Sequence, residues 1–256
     1  MERVTIDANG VRFVVLPIEG GSFMMGATVE QRNEAWDNEK PIRNVTLGPY
    51  YLSETVVTQA LWDAVMQDGS EGGSDSPVTG KSWNEWWEFI GKLNDLTHMK
   101  FRMPTEAEWE NAARGGNKGH GYKFAGSSNI NDVAWYDANS GSCLHPVMQK
   151  QPNELGLYDM TGNVFEWCYD RYGEYGEDPE INPIGPMNGS QRVYRGGAYS
   201  YYQRGCRLSC RFGIEPSGKD YGKIGLRLAM SEGAIDPFDI SNVDGVESQT
   251  DRKSVV

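Results

Sequence analysis

The chain has 256 residues, a net charge of −12 and an aromatic fraction of 11%, with 31 glycines. Such an acidic chain repels the phosphate backbone of nucleic acids and anionic membrane surfaces, so neither is an expected partner. No apolar run approaches the roughly 18–20 residues that span a bilayer, and Met1 is followed by a charged Glu-Arg pair rather than by a secretory core. We therefore expect a soluble chain. No Pro/Ser-rich linker interrupts it, which predicts one domain over residues 1–230 and a polar tail over residues 231–256.

The N-terminal stretch predicts extended chain. Residues 11–26 read VRFVVLPIEGGSFMMG, in which a β-branched run, a Gly-Gly pair and a second apolar run indicate a β-hairpin. Residues 46–58, TLGPYYLSETVVT, indicate a further strand.

Three helices are predicted next. One begins at Thr58, and two capping boxes, at residues 82–85 and 105–108, begin the others. The last of these is short, because a Gly-Gly pair follows at residues 115–116. The buried stripe of the middle helix is predicted to contain Trp86, Ile90 and Leu93.

From residue 117 to 230 the chain is rich in Gly, Asn, Asp and aromatic residues, with only brief apolar runs. This composition predicts irregular loops fastened to a few strands. The four cysteines are too few and too widely spaced for a disulfide framework or a paired zinc site, so we expect buried free thiols. They are Cys143, Cys168, Cys206 and Cys210.

Residues 193–230 combine a framework of Arg, Gly and Cys with Ser, Tyr, Gly, Phe, Ile and Asp in neither a helical nor a strand period. Residues without a packing period are available for contact, and Tyr is a favoured contact residue because it combines a large apolar area with a polar tip. This segment therefore predicts a binding surface. The arginines around it are expected to brace loops by pairing with carboxylates and carbonyls. They are Arg192, Arg195, Arg204, Arg207 and Arg211.

Six phrases occur in order along the chain: GGSFMMG (20–26), PVTGKSWNEWWEFI (77–90), FRMPTEAEWENAARGG (101–116), NELGLYDMTGNVFEW (153–167), RVYRGGAY (192–199) and IGLRLA (224–229). Together they resemble the formylglycine-generating-enzyme-like, or sulfatase-modifying-factor, family. The resemblance implies an α+β, C-type-lectin-like fold with few short helices and strands and much irregular structure. Fold alone does not fix function.

The resemblance also bears on catalysis. In the copper oxidases of the family, two cysteines five residues apart bind Cu(I), which soft thiolates favour. Here Tyr201 stands at the first position and Cys206 at the second, and a phenol is a poor Cu(I) ligand. The iron-dependent branch uses several histidines of an additional helical domain, whereas this chain has three His. We therefore predict no enzyme activity and no required cofactor. The alternative is a copper- or iron-dependent oxidase acting on a thiol substrate.

The same segment is similar to the variable proteins of diversity-generating retroelements, in which a reverse transcriptase mutates the adenines of a copied repeat. The resemblance implies a monomeric cell-surface protein, held as a lipoprotein by a signal that this sequence lacks, which displays a diversified patch to a macromolecular ligand, with a protein as the favoured class. A cytoplasmic protein is the alternative. The candidate ligand-binding positions are Ser200, Tyr201, Tyr202, Gly205, Cys210, Phe212, Gly213, Ile214, Asp220, Tyr221 and Gly222.

A second candidate site is a loop with two acids. Two carboxylates with carbonyls between them can wrap Ca²⁺, which accepts six to eight oxygens. In relatives that bind calcium, the matching loop uses the side chains at Asp159 and Glu166 and the carbonyls of Gly162 and Val164, which implies structural calcium here. Alternatively, arginine side chains neutralise these acids. A weaker calcium loop would contain Asn129, Ile130 and Asn139.

Overall fold

The computed structural model describes residues 1–67, 74–218 and 222–231. The predicted polar tail therefore lies outside the described residues, apart from Ser231, and so do Asp220 and Tyr221 of the candidate site. None of the helices in the described part of the chain combines the length and apolarity needed to cross a bilayer.

Short strands and helices separated by long irregular stretches make up the described chain. The strands are β1 (Val4–Ala8), β2 (Val11–Ile18), β3 (Gly21–Met25), β4 (Arg43–Leu47), β5 (Tyr50–Ser53), β6 (Phe101–Arg102), β7 (Phe165–Arg171), β8 (Glu180–Ile181), β9 (Arg192–Arg195), β10 (Arg211–Ile214), β11 (Ile224–Gly225) and β12 (Ala229–Ser231). The helices are α1 (Gln59–Met66), α2 (Trp83–Thr97), α3 (Glu106–Ala113) and α4 (Ile130–Val133).

The strands form three sheets. Their orders are β1-β2-β5-β12-β6, β10-β9-β7-β11 and β3-β4-β8. The pairs β7–β11 and β4–β8 are parallel, and the other pairs are antiparallel. This mixture of small sheets and short helices confirms the predicted α+β class.

The hairpin predicted over residues 11–26 is wrong. Both runs are strands, but β2 pairs with β1 and β5, whereas β3 pairs with β4 in a different sheet. The Gly-Gly pair carries the chain from one sheet to the next instead of reversing it within one. Residue pattern identifies a strand, but the choice of partner depends on which surfaces of the whole fold are buried.

The three predicted helix starts are confirmed. The hydroxyl of Thr58 accepts a hydrogen bond from the first turn of α1. Ser82 and Thr105 each form a capping box, in which hydroxyl and glutamate satisfy backbone N–H groups at the start of α2 and α3. The predicted stripe of α2 is also confirmed, because Trp86, Ile90 and Leu93 are all buried in the core.

Candidate ligand-binding site

Strands β10, β9 and β7 carry a row of aromatic rings across one sheet face. Tyr194 of β9 lies opposite Phe212 of β10 and opposite Trp167 of β7. Directly opposed residues point to the same face of a sheet. The rings of Tyr194 and Phe212 stack with centroids 5.4 Å apart, so β9 and β10 present one continuous aromatic surface.

Loop residues extend this row. Tyr201 and Tyr202 stack on each other with centroids 4.7 Å apart, and Trp36 contacts Phe212 edge-on at 5.6 Å and Tyr202 at 6.5 Å. Such offset and edge-to-face contacts fix ring orientation. We call the set Trp36, Tyr194, Tyr201, Tyr202 and Phe212 the aromatic patch.

Members of the patch differ in exposure. Tyr202 is 45% exposed, whereas Tyr201, Phe212 and Ile214 are half-buried and pack against the core. The ring of Tyr201 also contacts Phe165, with centroids 5.1 Å apart. These half-buried rings therefore support the fold on one side and face outward on the other.

Four other candidate positions offer little or no side chain for contact. Gly205 is buried, and a side chain there would overlap the ring of Tyr201. A Cβ at Gly213 would lie 2.6 Å from Cγ of Tyr172. The hydroxyl of Ser200 is buried without a hydrogen bond among the described residues, so its predicted role as a polar contact is wrong. Gly222 is half-buried with a φ of +71°, a conformation that favours glycine.

The prediction of Cys210 as a contact residue is wrong. Its side chain is 0% exposed, and its sulfur lies 3.1 Å from the carbonyl oxygen of Arg204. Burial raises the pKa of this thiol above its ordinary value. Cys168 and Cys206 are also buried free thiols, as predicted, but Cys143 is exposed.

The position of the copper-binding pair holds one thiol and one phenol. Cys206 is buried, and its sulfur lies 3.9 Å from the carbonyl oxygen of Tyr201. Burial raises the pKa of the Cys206 thiol to about 12, so the thiol is protonated at neutral pH. Within the described residues, no group of three or more His, Cys, Asp or Glu side chains is arranged to hold a metal ion.

Buried ion pairs hold the backbone beneath the aromatic patch. Arg195 pairs with Glu110, with Glu106 at 3.3 Å, and donates hydrogen bonds to the carbonyls of Leu208 and Ser209. It therefore connects β9 to the loop before β10. The predicted bracing role of arginine holds for this residue in full.

Three more arginines repeat the arrangement in bidentate form. Arg207 pairs with Glu39 at 2.6 and 2.9 Å, and Arg211 pairs with Glu106 at 2.6 and 2.7 Å. Paired forks of this kind are both strong and directional. We call these pairs, together with those of Arg195 and Arg227, the arginine frame; its carboxylates are Glu39, Glu106, Glu110 and Glu166.

The frame lowers the pKa values of two of its carboxylates, Glu106 and Glu39. Burial raises the pKa of Glu106, but Arg211 and Arg195 outweigh that effect and hold the pKa below its ordinary value. Burial likewise acts on Glu39, and hydrogen bonds from Arg207 and Ser209 lower its pKa overall. Each buried charge is therefore compensated, as burial requires.

At one end of the acidic loop at residues 159–166, an arginine pairs with the acid, as the alternative prediction states. Arg227 binds both oxygens of Glu166 at 2.9 and 3.0 Å, and the indole N–H of Trp109 donates to the same carboxylate at 2.7 Å. At the other end, Asp159 accepts the backbone N–H of Met148 with one oxygen.

The second oxygen of Asp159 is buried and has no hydrogen-bond partner among the described residues, and burial raises the pKa of this carboxyl to about 6. A cation would satisfy that oxygen. The carbonyls of Gly162 and Val164 lie on the same loop, so the residues fit calcium in part. Calcium binding here stays a prediction.

In the weaker candidate calcium loop, the polar side chains already form hydrogen bonds within the protein. The side chain of Asn129 caps α4 and donates to Asp132, and the amide of Asn139 bonds to the backbone of Ala134 and Tyr136. Ile130 is buried in a small apolar cluster. These amides therefore act as turn caps in the structure.

Two members of the patch were not predicted from sequence. Trp36 lies in an irregular stretch far from residues 193–230, and Tyr194 belongs to a strand whose partners the sequence does not reveal. Trp36 has no periodic neighbours that would single it out. Only the tertiary contact with Phe212 and Tyr202 identifies it.

Comparison with known proteins places this geometry in context. Residues 9–232 match the sulfatase-modifying factor enzyme 1-like domain. The chain is 30% identical to the formylglycine-generating enzyme of Streptomyces coelicolor, over 83% of this chain and 87% of that one. Variable protein 1 of Treponema denticola superimposes with a TM-score of 0.81 at 29% identity, covering 91% of this chain and 100% of that one. PvdO from Pseudomonas aeruginosa, with a TM-score of 0.74 at 24% identity over 90% and 98% of the two chains, shares the fold.

Proposed function

This chain belongs to the family of the sulfatase-modifying factor enzyme 1-like domain; it is similar in sequence to a formylglycine-generating enzyme and in structure to a variable protein. Between these two roles, we propose that it is a ligand-binding protein without catalytic activity. The family and the fold agree with those implied by the six sequence motifs. We propose further that its aromatic patch is diversified by a retroelement and that the ligand is a protein. The cell surface is the proposed location.

One observation carries this proposal: an outward-facing cluster of stacked rings rests on a backbone held by buried ion pairs. Tyr and Trp side chains supply large contact area at a low cost in conformational entropy. A preorganised backbone reduces the ordering cost of binding further. The combination suits recognition of a protein surface, where a few aromatic anchors dominate the binding energy.

The chemistry at the copper position supports a binding role over oxidation. Cu(I) favours soft thiolates, and at this position the chain offers one protonated thiol, Cys206, next to the backbone carbonyl of Tyr201. The ring of Tyr201 contributes to the patch through its stack on Tyr202. The residue that would complete a copper pair in the oxidases thus serves the contact surface here.

The origin of the patch is tested in the DNA that flanks the gene. We expect a near-copy of the segment encoding residues 193–230 that differs only where the copy carries adenine, beside a reverse transcriptase gene. A flanking region without such a repeat would contradict programmed diversification.

Binding is tested by screening the chain against an array of purified extracellular proteins. A genuine ligand should lose at least tenfold in affinity with Tyr202→Ala or Trp36→Ala. Tyr122→Ala, which removes a half-buried tyrosine outside the patch, is the matched control and should leave affinity unchanged. A ligand that binds both patch variants as tightly as it binds the wild type would contradict the proposed site.

The oxidase alternative has its own test. A copper oxidase would bind Cu(I) tightly and consume O₂ with a thiol substrate, and both properties would disappear in Cys206→Ala. We expect weak Cu(I) binding by the wild-type chain, and tight binding with O₂ uptake would contradict the proposal.

A further inference from the structure

An open groove of about 680 Å³ lies between α2, β6 and β7, outside residues 193–230. Its walls include Trp83 and Trp87 of α2 and Tyr169 of β7, whose rings meet at centroid distances of 5.6–6.3 Å. Lys100 also lines the groove and is exposed.

Two arginines face each other next to the groove, outside its lining. Arg192 of β9 is paired in register with Arg171 of β7, and like charges directly opposite on adjacent strands destabilise a sheet. The guanidinium of Arg192 lies 3.9 Å from the ring centroid of Trp83 and donates to the carbonyl of Tyr169. Arg171 donates to the carbonyl of Gly189. Burial and then repulsion by Arg171 lower the pKa of Arg192.

These cations differ from the arginine frame in lacking carboxylate partners. Within the described part of the chain, Lys100, Arg171 and Arg192 form no ion pair, whereas every arginine of the frame has one. A chain of net charge −12 therefore gathers uncompensated positive charge around one aromatic groove. An anion placed between Arg171 and Arg192 would relieve their repulsion.

We propose that this groove binds an acidic peptide segment of the protein ligand, with an Asp or Glu carboxylate between Arg171 and Arg192 and an adjacent apolar side chain against Trp87. This inference rests on the proposed function, because the groove continues the patch: Arg192 lies opposite Ile214 and two residues from Tyr194 on the same sheet face. The groove lies outside the segment that diversifies, so it would supply a constant anchor while the patch supplies variable specificity. Its charge accelerates encounter with acidic partners.

The test pans a random 12-residue phage-displayed peptide library on the full chain. We expect enriched peptides to carry Asp or Glu next to an apolar residue. As synthetic peptides, they should lose at least tenfold in affinity with Arg171→Gln, with Trp87→Ala, and when their own acids are replaced by Asn or Gln. Lys100→Gln should weaken them less, and Lys92→Gln, an exposed lysine of α2 already paired with Glu88, is its matched control.

Thermal melting confirms that each variant folds, and Arg171→Gln removes a partly exposed side chain that holds no carboxylate. Non-acidic consensus peptides, no enrichment, or affinities within twofold in Arg171→Gln would overturn the inference. Peptides whose affinity falls with Tyr202→Ala but not with Arg171→Gln would overturn the inference about the groove and leave the proposed function intact. Peptides whose affinity falls with Arg171→Gln but not with Tyr202→Ala would support the groove as a binding site and count against the patch.

Discussion

The arginine frame and the aromatic patch come largely from the same stretch of chain, yet they obey different rules. Arg195, Arg207 and Arg211 alternate in sequence with Tyr201, Tyr202 and Phe212. The arginines point inward to buried carboxylates, whereas the rings point outward on one side and touch one another. Substitution of a frame arginine removes a charge partner of a buried carboxylate, whereas substitution of the exposed Tyr202 removes mainly contacts between rings.

The difference would allow one loop to be rigid and yet to tolerate substitution. In each frame pair the arginine and its carboxylate are both buried. These pairs therefore hold the backbone without help from the outward side chains. The outward positions then change identity at low cost, provided that they do not also support the core. Tyr201 and Phe212 show the limit of this freedom because they are half-buried.

The largest expected effect breaks the frame at Arg195. Arg195→Met removes one of the two arginines that pair with the buried Glu110, which keeps Arg114, and leaves the carbonyls of Leu208 and Ser209 without their donor. We expect a loss of about 3–5 kcal/mol in the free energy of unfolding. Urea denaturation measures this loss. Lys92→Met on the surface of α2 is the control and should cost less than about 0.5 kcal/mol. Equal losses in the two variants would remove the energetic distinction between frame and surface.

A buried acid next to the frame makes stability depend on pH. Asp170 accepts the backbone N–H of Glu106, and burial followed by repulsion from Glu106 raises its pKa from 3.8 to about 8. The folded state then holds a proton that the unfolded state releases, so this stabilisation is complete below pH 4 and is lost as the pH rises towards 8.

The free energy of unfolding of Asp170→Asn should therefore rise relative to that of the wild type as the pH rises, by on the order of 2–4 kcal/mol between pH 4 and pH 8. Denaturation of both proteins across this range measures the gain. Parallel pH profiles would show that Asp170 has an ordinary pKa in the folded protein.

The acidic loop gives a third way to probe the frame. If calcium satisfies the free oxygen of Asp159, saturating calcium should stabilise the fold by roughly 2–3 kcal/mol at a concentration about 100-fold above its Kd. Melting in calcium and in EDTA measures the shift, and Asp159→Asn should abolish it. Identical melting curves for the wild type would contradict calcium binding and leave neutralisation by Arg227 as the explanation for the acidic loop.

The smallest expected effects lie in the patch. Tyr202→Ala should cost about 0.5 kcal/mol, because the side chain is exposed, and Tyr201→Ala about 2 kcal/mol, because half of its ring packs on the core. Chemical denaturation measures both. A loss of more than about 3 kcal/mol for Tyr202→Ala would show that the patch is part of the core and not a contact surface.

Some features follow from the sequence alone. The hydroxyls of Thr58, Ser82 and Thr105 begin helices because the hydrogen bonds that cap a helix are local. The stripe of α2 follows from helical period, and the family follows from six ordered motifs. The presence of Tyr201 at the position of the first copper-binding cysteine was also predictable, because it concerns residue identity at one matched position.

Tertiary structure decided what depends on distant parts of the chain. The sequence could not assign β2 and β3 to different sheets, pair Arg207 with Glu39, or bring Trp36 against Phe212, because these contacts join segments far apart in the chain. It also could not show that Cys210 and the Ser200 hydroxyl face inward in a loop without a period. Local hydrogen bonds and periodicity are written in neighbouring residues, whereas burial and pairing are properties of the assembled fold.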